Sequence, residues 1–130
     1  MPPGIDVHEA QRALADHLVA VAPWGAQVTV EPEYAGSPFT ASVEGPAFDA
    51  MTMAMRGAYG REVTLLGDGG SIPLCNVLKE TFPDAEVMLL GVEEPLCRIH
   101  APNESVDPTE IENMALVEAL FLQLYASAVR

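Results

Sequence analysis

The stretch that decides the fold runs from Leu65 to Pro108 and reads LLGDGGSIPLCNVLKETFPDAEVMLLGVEEPLCRIHAPNESVDP. A short strand is predicted over residues 62–66, a helix over residues 71–82, and a continuously apolar strand over residues 85–91. Strand, glycine-rich turn, helix and strand form one βαβ unit, and such an apolar strand is typical of α/β sheets that are covered on both faces. Ligands of these sheets bind at the carboxyl ends of the strands, where the glycine-rich turn lies.

The segment before this unit is predicted to hold a helix and a strand. Asp6 followed by Glu9 three residues later is a capping-box pattern that begins a helix, and Pro23 ends it. Residues 27–31 alternate between apolar and polar side chains, which predicts a half-buried strand. Residues 32–46 are rich in turn formers, contain a possible short strand at residues 39–43, and form a candidate boundary between two units. The apolar face of the first helix is predicted to consist of Val7, Ala10, Leu14, Leu18 and Val21.

Two further helices follow from proline, glycine and aspartate signals. Pro46 is suited to the first position of a helix and Gly60 to its termination. Asp107 as cap and Pro108 at the first position begin the last helix. That helix is apolar almost all round, so it is expected to need missing partners or an oligomer to cover it. All these elements together predict an α/β fold class.

Composition limits the classes of function. The 130 residues suffice for about one domain, and 49% of them are hydrophobic. The net charge is −13 with only six lysines and arginines, so neither nucleic acid nor an anionic membrane is an expected partner. No run approaches the roughly 18 apolar residues of a membrane span, and no signal-peptide pattern is present, so the expected location is cytoplasmic. Cys75 and Cys97 are expected to be buried free thiols, with a disulfide as the alternative.

The glycine-rich turn contains the first candidate site residues, Gly69, Gly70 and Ser71. Glycines allow a ligand to approach the backbone closely, and consecutive N–H groups can hold an anion. Ser71 adds a hydroxyl at the expected start of a helix, whose dipole favours negative charge. Asp68 would repel a phosphate, so a carboxylate is the better guest. A turn of this composition can also be purely structural. Anion binding and a purely structural role both remain open at this point.

His100 is the second candidate, in the segment Ile99–Glu104. A neutral imidazole is a common zinc ligand, and Asn103 or Glu104 can orient such a ligand by hydrogen bonding to it. The proline that follows Ala101 predicts an extended backbone around His100. A lone histidine is more often a structural residue than a metal ligand, so spacing alone leaves its role open.

The two segments together, GGSIP at residues 69–73 and HAPNE at residues 100–104, resemble the carboxyl-terminal part of the M20 family of zinc metallopeptidases. The branch that they resemble most is the carnosinase-like dipeptidases. The resemblance implies that residues 1–44 are part of an α+β lid or dimerisation domain. Residues 45–130 would be the end of a phosphorylase/hydrolase-like catalytic domain.

This resemblance implies a site with two zinc ions, whose bridging water attacks a peptide or N-acyl amino acid. Carried over by motif, His100 corresponds to the last zinc ligand, and Gly69, Gly70 and Ser71 to the segment that contacts the substrate's carboxylate. No residue within 1–60 matches the family's remaining ligand motifs, and a catalytic zinc needs about three protein ligands. Gly67 stands where many dipeptidase-like members carry arginine, so the arginine of the family's carboxylate clamp is not found at that position.

The sequence therefore predicts the carboxyl-terminal portion of a cytoplasmic metallopeptidase that forms homo-oligomers, a portion that alone retains no zinc and is inactive. Two alternatives remain. One is a non-catalytic self-association module that uses the lid half and the last helix. The other is a small α/β protein that binds an organic anion at residues 69–71.

Overall fold

The computed structural model describes residues 4–67 and 72–130, and this part of the chain is helical. It contains four α-helices and one short 3-10 turn at Pro23–Gly25. The α-helices are α1 (Val7–Ala20), α2 (Pro46–Tyr59), α3 (Pro73–Thr81) and α4 (Pro108–Ala128). Within the two described ranges no helix is both long enough and apolar enough to cross a membrane.

The predicted α/β fold class is wrong for the described residues, because they contain no strand. The segments expected to be strands, residues 27–31, 39–43, 62–66 and 85–91, are irregular. Alternation in a sequence shows which side chains share a face, whereas a strand also requires a neighbour that exchanges backbone hydrogen bonds with it. No backbone hydrogen bond between described residues joins two of these segments. The βαβ unit and the strand of the lid piece are therefore absent from this part of the structure.

The helix boundaries, by contrast, confirm the capping signals. Asp6 accepts a hydrogen bond from the N–H of Glu9 at 2.8 Å, and Asp107 accepts one from the N–H of Thr109 at 2.9 Å. Gly60 ends α2 in a left-handed conformation with φ of 64°, as a glycine at that position permits. Local hydrogen-bonding chemistry therefore fixes these ends without help from distant residues.

Contacts divide the chain into two compact units. Unit 1 comprises Met1–Thr40 and Gly67–Ala85, and unit 2 comprises Ala41–Leu66 and Glu86–Arg130. Unit 1 contains α1 and α3, where Cys75 is buried and the Asn76 side chain donates to the Ser37 carbonyl at 3.0 Å. The domain division at residues 44 and 45 remains a prediction.

The core of unit 2 lies between α2 and α4. Met51 and Ala54 of α2 pack against Met114 and Val117 of α4, and Ala54 and Val117 are completely buried. Gly57 faces the Leu120 side chain so closely that an added Cβ would lie 3.3 Å from it. Small residues on α2 thus allow the two helices to approach. Further hydrophobic residues packed against this core are Met55, Ala58, Tyr59, Met88, Val92, Leu120, Phe121 and Leu124.

A hydrogen bond links the end of α2 to the start of α4. The Tyr59 hydroxyl donates to the Glu110 carboxylate at 2.9 Å. Burial raises the pKa of Tyr59, and the hydrogen bond to Glu110 and the charge of that carboxylate raise it further. The tyrosine therefore stays protonated and remains a donor throughout the physiological range.

Glu86 closes the other end of α2. Its two carboxylate oxygens accept hydrogen bonds from the N–H groups of Ala47 at 3.1 Å and Phe48 at 2.7 Å. These are two of the first N–H groups of α2, which have no partner within the helix. Gly45 has φ of 126°, and a Cβ there would collide with the same carboxylate. This side chain connects residues that are 38 and 39 positions apart, and so ties the segment after residue 85 to α2.

Three apolar surfaces are exposed, and two of them are less covered than the sequence predicts. Leu89 and Leu90 are exposed, although the segment at residues 85–91 was expected to be covered on both faces. On α1 only Val7 of the predicted face is buried, and Leu14, Leu18 and Val21 are exposed. On α4 the exposed apolar residues are Ile111, Leu116 and Leu122, as expected for a helix that is apolar almost all round and lacks cover.

We predict that Glu86→Ala lowers the free energy of unfolding by about 1–2 kcal/mol, because two helix N–H groups lose their acceptor. Glu86→Gln keeps one oxygen and should lose about half as much. Urea unfolding followed by circular dichroism measures both effects. Glu118→Gln on the exposed side of α4 is the matched control, and an equal loss from it would contradict this role of Glu86.

Acid should weaken the two aspartate caps. The backbone N–H of Glu9 chiefly lowers the pKa of Asp6, and the Thr109 hydroxyl, followed by its N–H, lowers the pKa of Asp107. Because both values lie below 3.8 in the folded chain, the caps stabilise it fully at higher pH and lose their effect as the pH falls through the folded values. An Asp6→Asn, Asp107→Asn variant keeps cap acceptors that do not titrate. It should lose less helical circular dichroism on acidification, and an acid titration identical to that of the parent would refute this.

Candidate functional site

His100 lies in a loop of nine residues that is closed by its own backbone. The N–H of Ser105 donates to the carbonyl of Cys97 at 2.9 Å, which joins the two ends. Inside the loop the N–H of Ala101 donates to the carbonyl of Arg98 at 2.9 Å, and that of Glu104 donates to the carbonyl of Ala101 at 3.2 Å. We call residues 97–105 the His100 loop. It consists of two successive turns held by a single closing hydrogen bond.

Three residues of the His100 loop have a left-handed backbone conformation. The φ angles are 55° at Arg98, 60° at His100 and 64° at Asn103. The expected extended backbone at His100 is therefore wrong. The restriction imposed by a proline acts on the residue directly before it, which is Ala101, and not on His100. Asparagine and histidine are among the side chains enriched at positive φ, whereas arginine is not.

Cys97 anchors the His100 loop. It is 4% exposed, while His100, Asn103 and Glu104 are all exposed. Its N–H donates to the carbonyl of Glu94 at 3.0 Å, so the base of the loop is fixed on both sides of the cysteine. Cys75 and Cys97 are both buried free thiols, which confirms the prediction. A rigid base with an exposed tip suits a side chain that must meet a ligand.

The predicted site residues fall into two groups. His100, Asn103 and Glu104 share the His100 loop, but no hydrogen bond between their side chains occurs in the described structure. The predicted substrate-contacting residues Gly69, Gly70 and Ser71 lie outside the described residues. Whether both segments line one cleft therefore remains a prediction.

The described residues do not by themselves fit a catalytic zinc ion. Within residues 4–67 and 72–130 no three histidine, cysteine, aspartate or glutamate side chains are grouped so that they could hold a metal. The two other histidines, His8 and His17, are exposed on α1. His100 can supply one ligand, and a zinc site needs about three from protein. A zinc bound to His100 would require further ligands from outside the part of the chain that is described.

Comparison with known proteins identifies the family of this chain. The model of the family described as peptidase family M20/M25/M40 matches residues 3–124. The chain belongs to this family.

A curated relative points to one branch of the family. The chain is 45% identical over 118 residues to a cysteinylglycine-S-conjugate dipeptidase from Corynebacterium striatum. The aligned region covers 90% of this chain and 26% of the relative. The chain thus spans about a quarter of the length of the curated relative that it matches. No solved structure matches the chain significantly.

Two features near the site were missed from the sequence. The left-handed backbone at Arg98 has no sequence signature, whereas His100 and Asn103 are of residue types that are enriched in that conformation. The sequence predicts that Glu86 lies in an apolar strand, whereas its carboxylate caps the start of α2. The hydrogen-bond donors of this cap lie 38 and 39 residues away in the sequence. Only a three-dimensional contact reveals such a cap.

We predict that His100→Gly and His100→Ala differ in stability although both remove the imidazole. Glycine adopts positive φ without a steric cost and alanine does not, so the glycine variant should be more stable by about 1 kcal/mol. Urea unfolding of the two variants measures this difference. If the alanine variant is equally or more stable, His100 does not occupy left-handed backbone.

Proposed function

We propose that this chain is the carboxyl-terminal portion of a zinc-dependent metallopeptidase in which His100 provides one metal ligand. The complete protein would hydrolyse dipeptides or N-acyl amino acids. The observation that carries the proposal is an exposed histidine on a closed loop in a chain of the peptidase family M20/M25/M40. Residues 69–71 would contact the carboxylate end of the substrate.

The geometry of the His100 loop supports a ligand role for this histidine. Free imidazole ligands must be held in one orientation to bind a metal tightly, and a second hydrogen bond usually provides this. Here the buried Cys97 and the closing bond to Ser105 hold the backbone beneath the imidazole. Asn103 and Glu104 are three and four residues further along the same loop, where they can hydrogen-bond to the bound histidine.

Two zinc ions would need ligands that are not grouped together in residues 4–67 and 72–130. One histidine outside a group of three ligands binds zinc weakly, since structural and catalytic sites use three or four protein ligands. We therefore propose that the other ligands come from residues beyond this chain, and that the chain alone neither retains zinc nor turns over substrate.

The name of the relative suggests a substrate class. The Corynebacterium striatum protein is called a cysteinylglycine-S-conjugate dipeptidase. We propose cysteinylglycine S-conjugates as the first substrates to test, with other dipeptides and N-acyl amino acids beside them. The acidic composition disfavours nucleic acid as a partner, and a cytoplasmic location and homo-oligomer formation remain part of the proposal.

We predict that the purified 130-residue chain contains less than one equivalent of zinc after dialysis and does not cleave a cysteinylglycine S-conjugate. The reason is the single candidate ligand in its described part. Zinc content by elemental analysis and glycine release measure the two properties. A His100→Ala variant is the control for any residual zinc.

Stoichiometric, tightly bound zinc together with turnover would contradict the proposal that the chain is incomplete. Zinc that is bound equally by the parent and by His100→Ala would contradict the ligand role of His100.

A further inference from the structure

Arg98, in the His100 loop, occupies a backbone conformation that arginine rarely adopts. Its φ of 55° lies in the left-handed region, where the Cβ of an L residue comes too close to the following carbonyl oxygen. The hydrogen bonds on either side of Cys97 hold the loop in this shape, but a glycine at residue 98 would allow the same bonds without the steric cost. Strained residues of this kind are concentrated at binding and catalytic sites. The loop geometry therefore does not explain why the side chain is an arginine.

The guanidinium of Arg98 is an isolated positive charge. Residues 81–129 contain nine aspartates and glutamates, and Arg98 is their one basic residue besides His100. Its side chain is exposed, and the ion pair found in the described part of the chain joins Arg56 to Glu62, not Arg98 to a carboxylate. The Glu94 carboxylate, four residues before Arg98, accepts a hydrogen bond from the N–H of Leu96 at 2.6 Å instead. Among the described residues, no acidic side chain neutralises this arginine.

Arg98 and His100 share one turn. The N–H of Ala101 donates to the carbonyl of Arg98 at 2.9 Å, which places His100 inside the turn that Arg98 begins. The Cα atoms of residues two positions apart are at most about 7 Å from each other, a distance that a long arginine side chain can span. In a dipeptide the scissile carbonyl carbon and the carboxylate carbon are one residue apart, roughly 3–4 Å. A dipeptide with its scissile amide at His100 thus has its carboxylate within reach of Arg98.

We propose that Arg98 binds the terminal carboxylate of the substrate and so selects substrates with a free carboxyl end. This inference rests on the proposed function, because it takes the scissile amide to lie at His100. The planar guanidinium donates two parallel hydrogen bonds to the two carboxylate oxygens, which a lysine cannot do. A carboxylate offers about four acceptor positions, so the contact proposed for residues 69–71 can be made to the same group. A neutral amide of similar size loses the ion pair with Arg98.

Arg98→Gly separates the side chain from the backbone strain, and the purified 130-residue chain suffices for this measurement. Glycine removes the steric cost at φ of 55°, so the equilibrium constant for folding should rise about fivefold. Arg98→Ala keeps the Cβ and should bring no such gain. Urea unfolding of the parent and both variants measures the effect. If Arg98→Gly is no more stable than the parent, the arginine is not held at a cost to stability, and the inference is overturned.

Substrate selection is measured in a chimera in which this chain replaces the matching 118 residues of the Corynebacterium striatum dipeptidase. The two probes are S-benzyl-cysteinylglycine and its carboxyl-terminal amide. Arg98→Gly should lower kcat/KM for the acid about 30-fold or more, mainly through KM, and leave the value for the amide unchanged. Arg98→Lys should retain part of the preference for the acid, because it keeps the charge. Arg61→Ala, which removes another exposed arginine of unit 2, is the matched control and should change neither value.

The outcomes separate this inference from the proposed function. Equal losses on the acid and the amide, or no loss on either, would overturn carboxylate binding by Arg98 and leave the peptidase proposal intact. A zinc-loaded parent chimera that cleaves neither probe would contradict the proposed function, and the inference would fall with it. The urea measurement needs neither zinc nor turnover, so it tests Arg98 independently of the chimera.

Discussion

The packing of α2 against α4 is the interaction on which unit 2 depends. Burial of Ala54 and Val117 in the contact removes apolar surface from water, and Gly57 allows the helices to approach at Leu120. Glu86 then joins the segment after residue 85 to the start of α2. The His100 loop follows on this segment and ends just before Asp107 caps α4. Its base is thus held between two segments that the helical pair fixes.

The sequence predicted the helices because most of their end signals are local, although Glu86 caps the start of α2 from a distance. Asp6, Pro46, Gly60 and Asp107 each satisfy or replace a backbone group within a few residues, and each acts as expected. The strands failed because pairing is not local. Residues 85–91 look like a buried strand, yet in the described structure Met88 packs on the helical core while Leu89 and Leu90 face solvent. A pattern of side chains cannot supply the neighbouring strand that a sheet needs.

The candidate site was predictable only where its residues are close together in the sequence. The motif around His100 is contiguous, and its resemblance to the M20 family agrees with the match of the family model to residues 3–124. The left-handed backbone at His100 was not predicted, because histidine and asparagine are only enriched at positive φ and adopt other conformations more often. The remaining ligands could not be found, since no group of three histidine, cysteine, aspartate or glutamate side chains that could hold a metal occurs in the described residues. The chain covers 26% of its dipeptidase relative, so an incomplete ligand set is consistent with its extent.

Exposed apolar surfaces remain because local signals are sufficient to form a helix but do not supply the residues that would cover it. Capping and packing on α2 order α4, but Ile111, Leu116 and Leu122 remain exposed, and α1 is in the same situation with Leu14 and Leu18. Each helix is specified well enough to form and buries only part of its apolar surface. Association with further protein is the physical means by which such surfaces leave water.

The most direct test of His100 as a metal ligand is the zinc anomalous signal in crystals of a chimera. In this chimera the chain replaces the 118-residue matching region of the Corynebacterium striatum dipeptidase, which supplies the rest of the family's length. A zinc peak about 2.0–2.1 Å from an imidazole nitrogen of His100 is the expected result. A fully coordinated zinc ion with His100 remote from it would contradict the assignment.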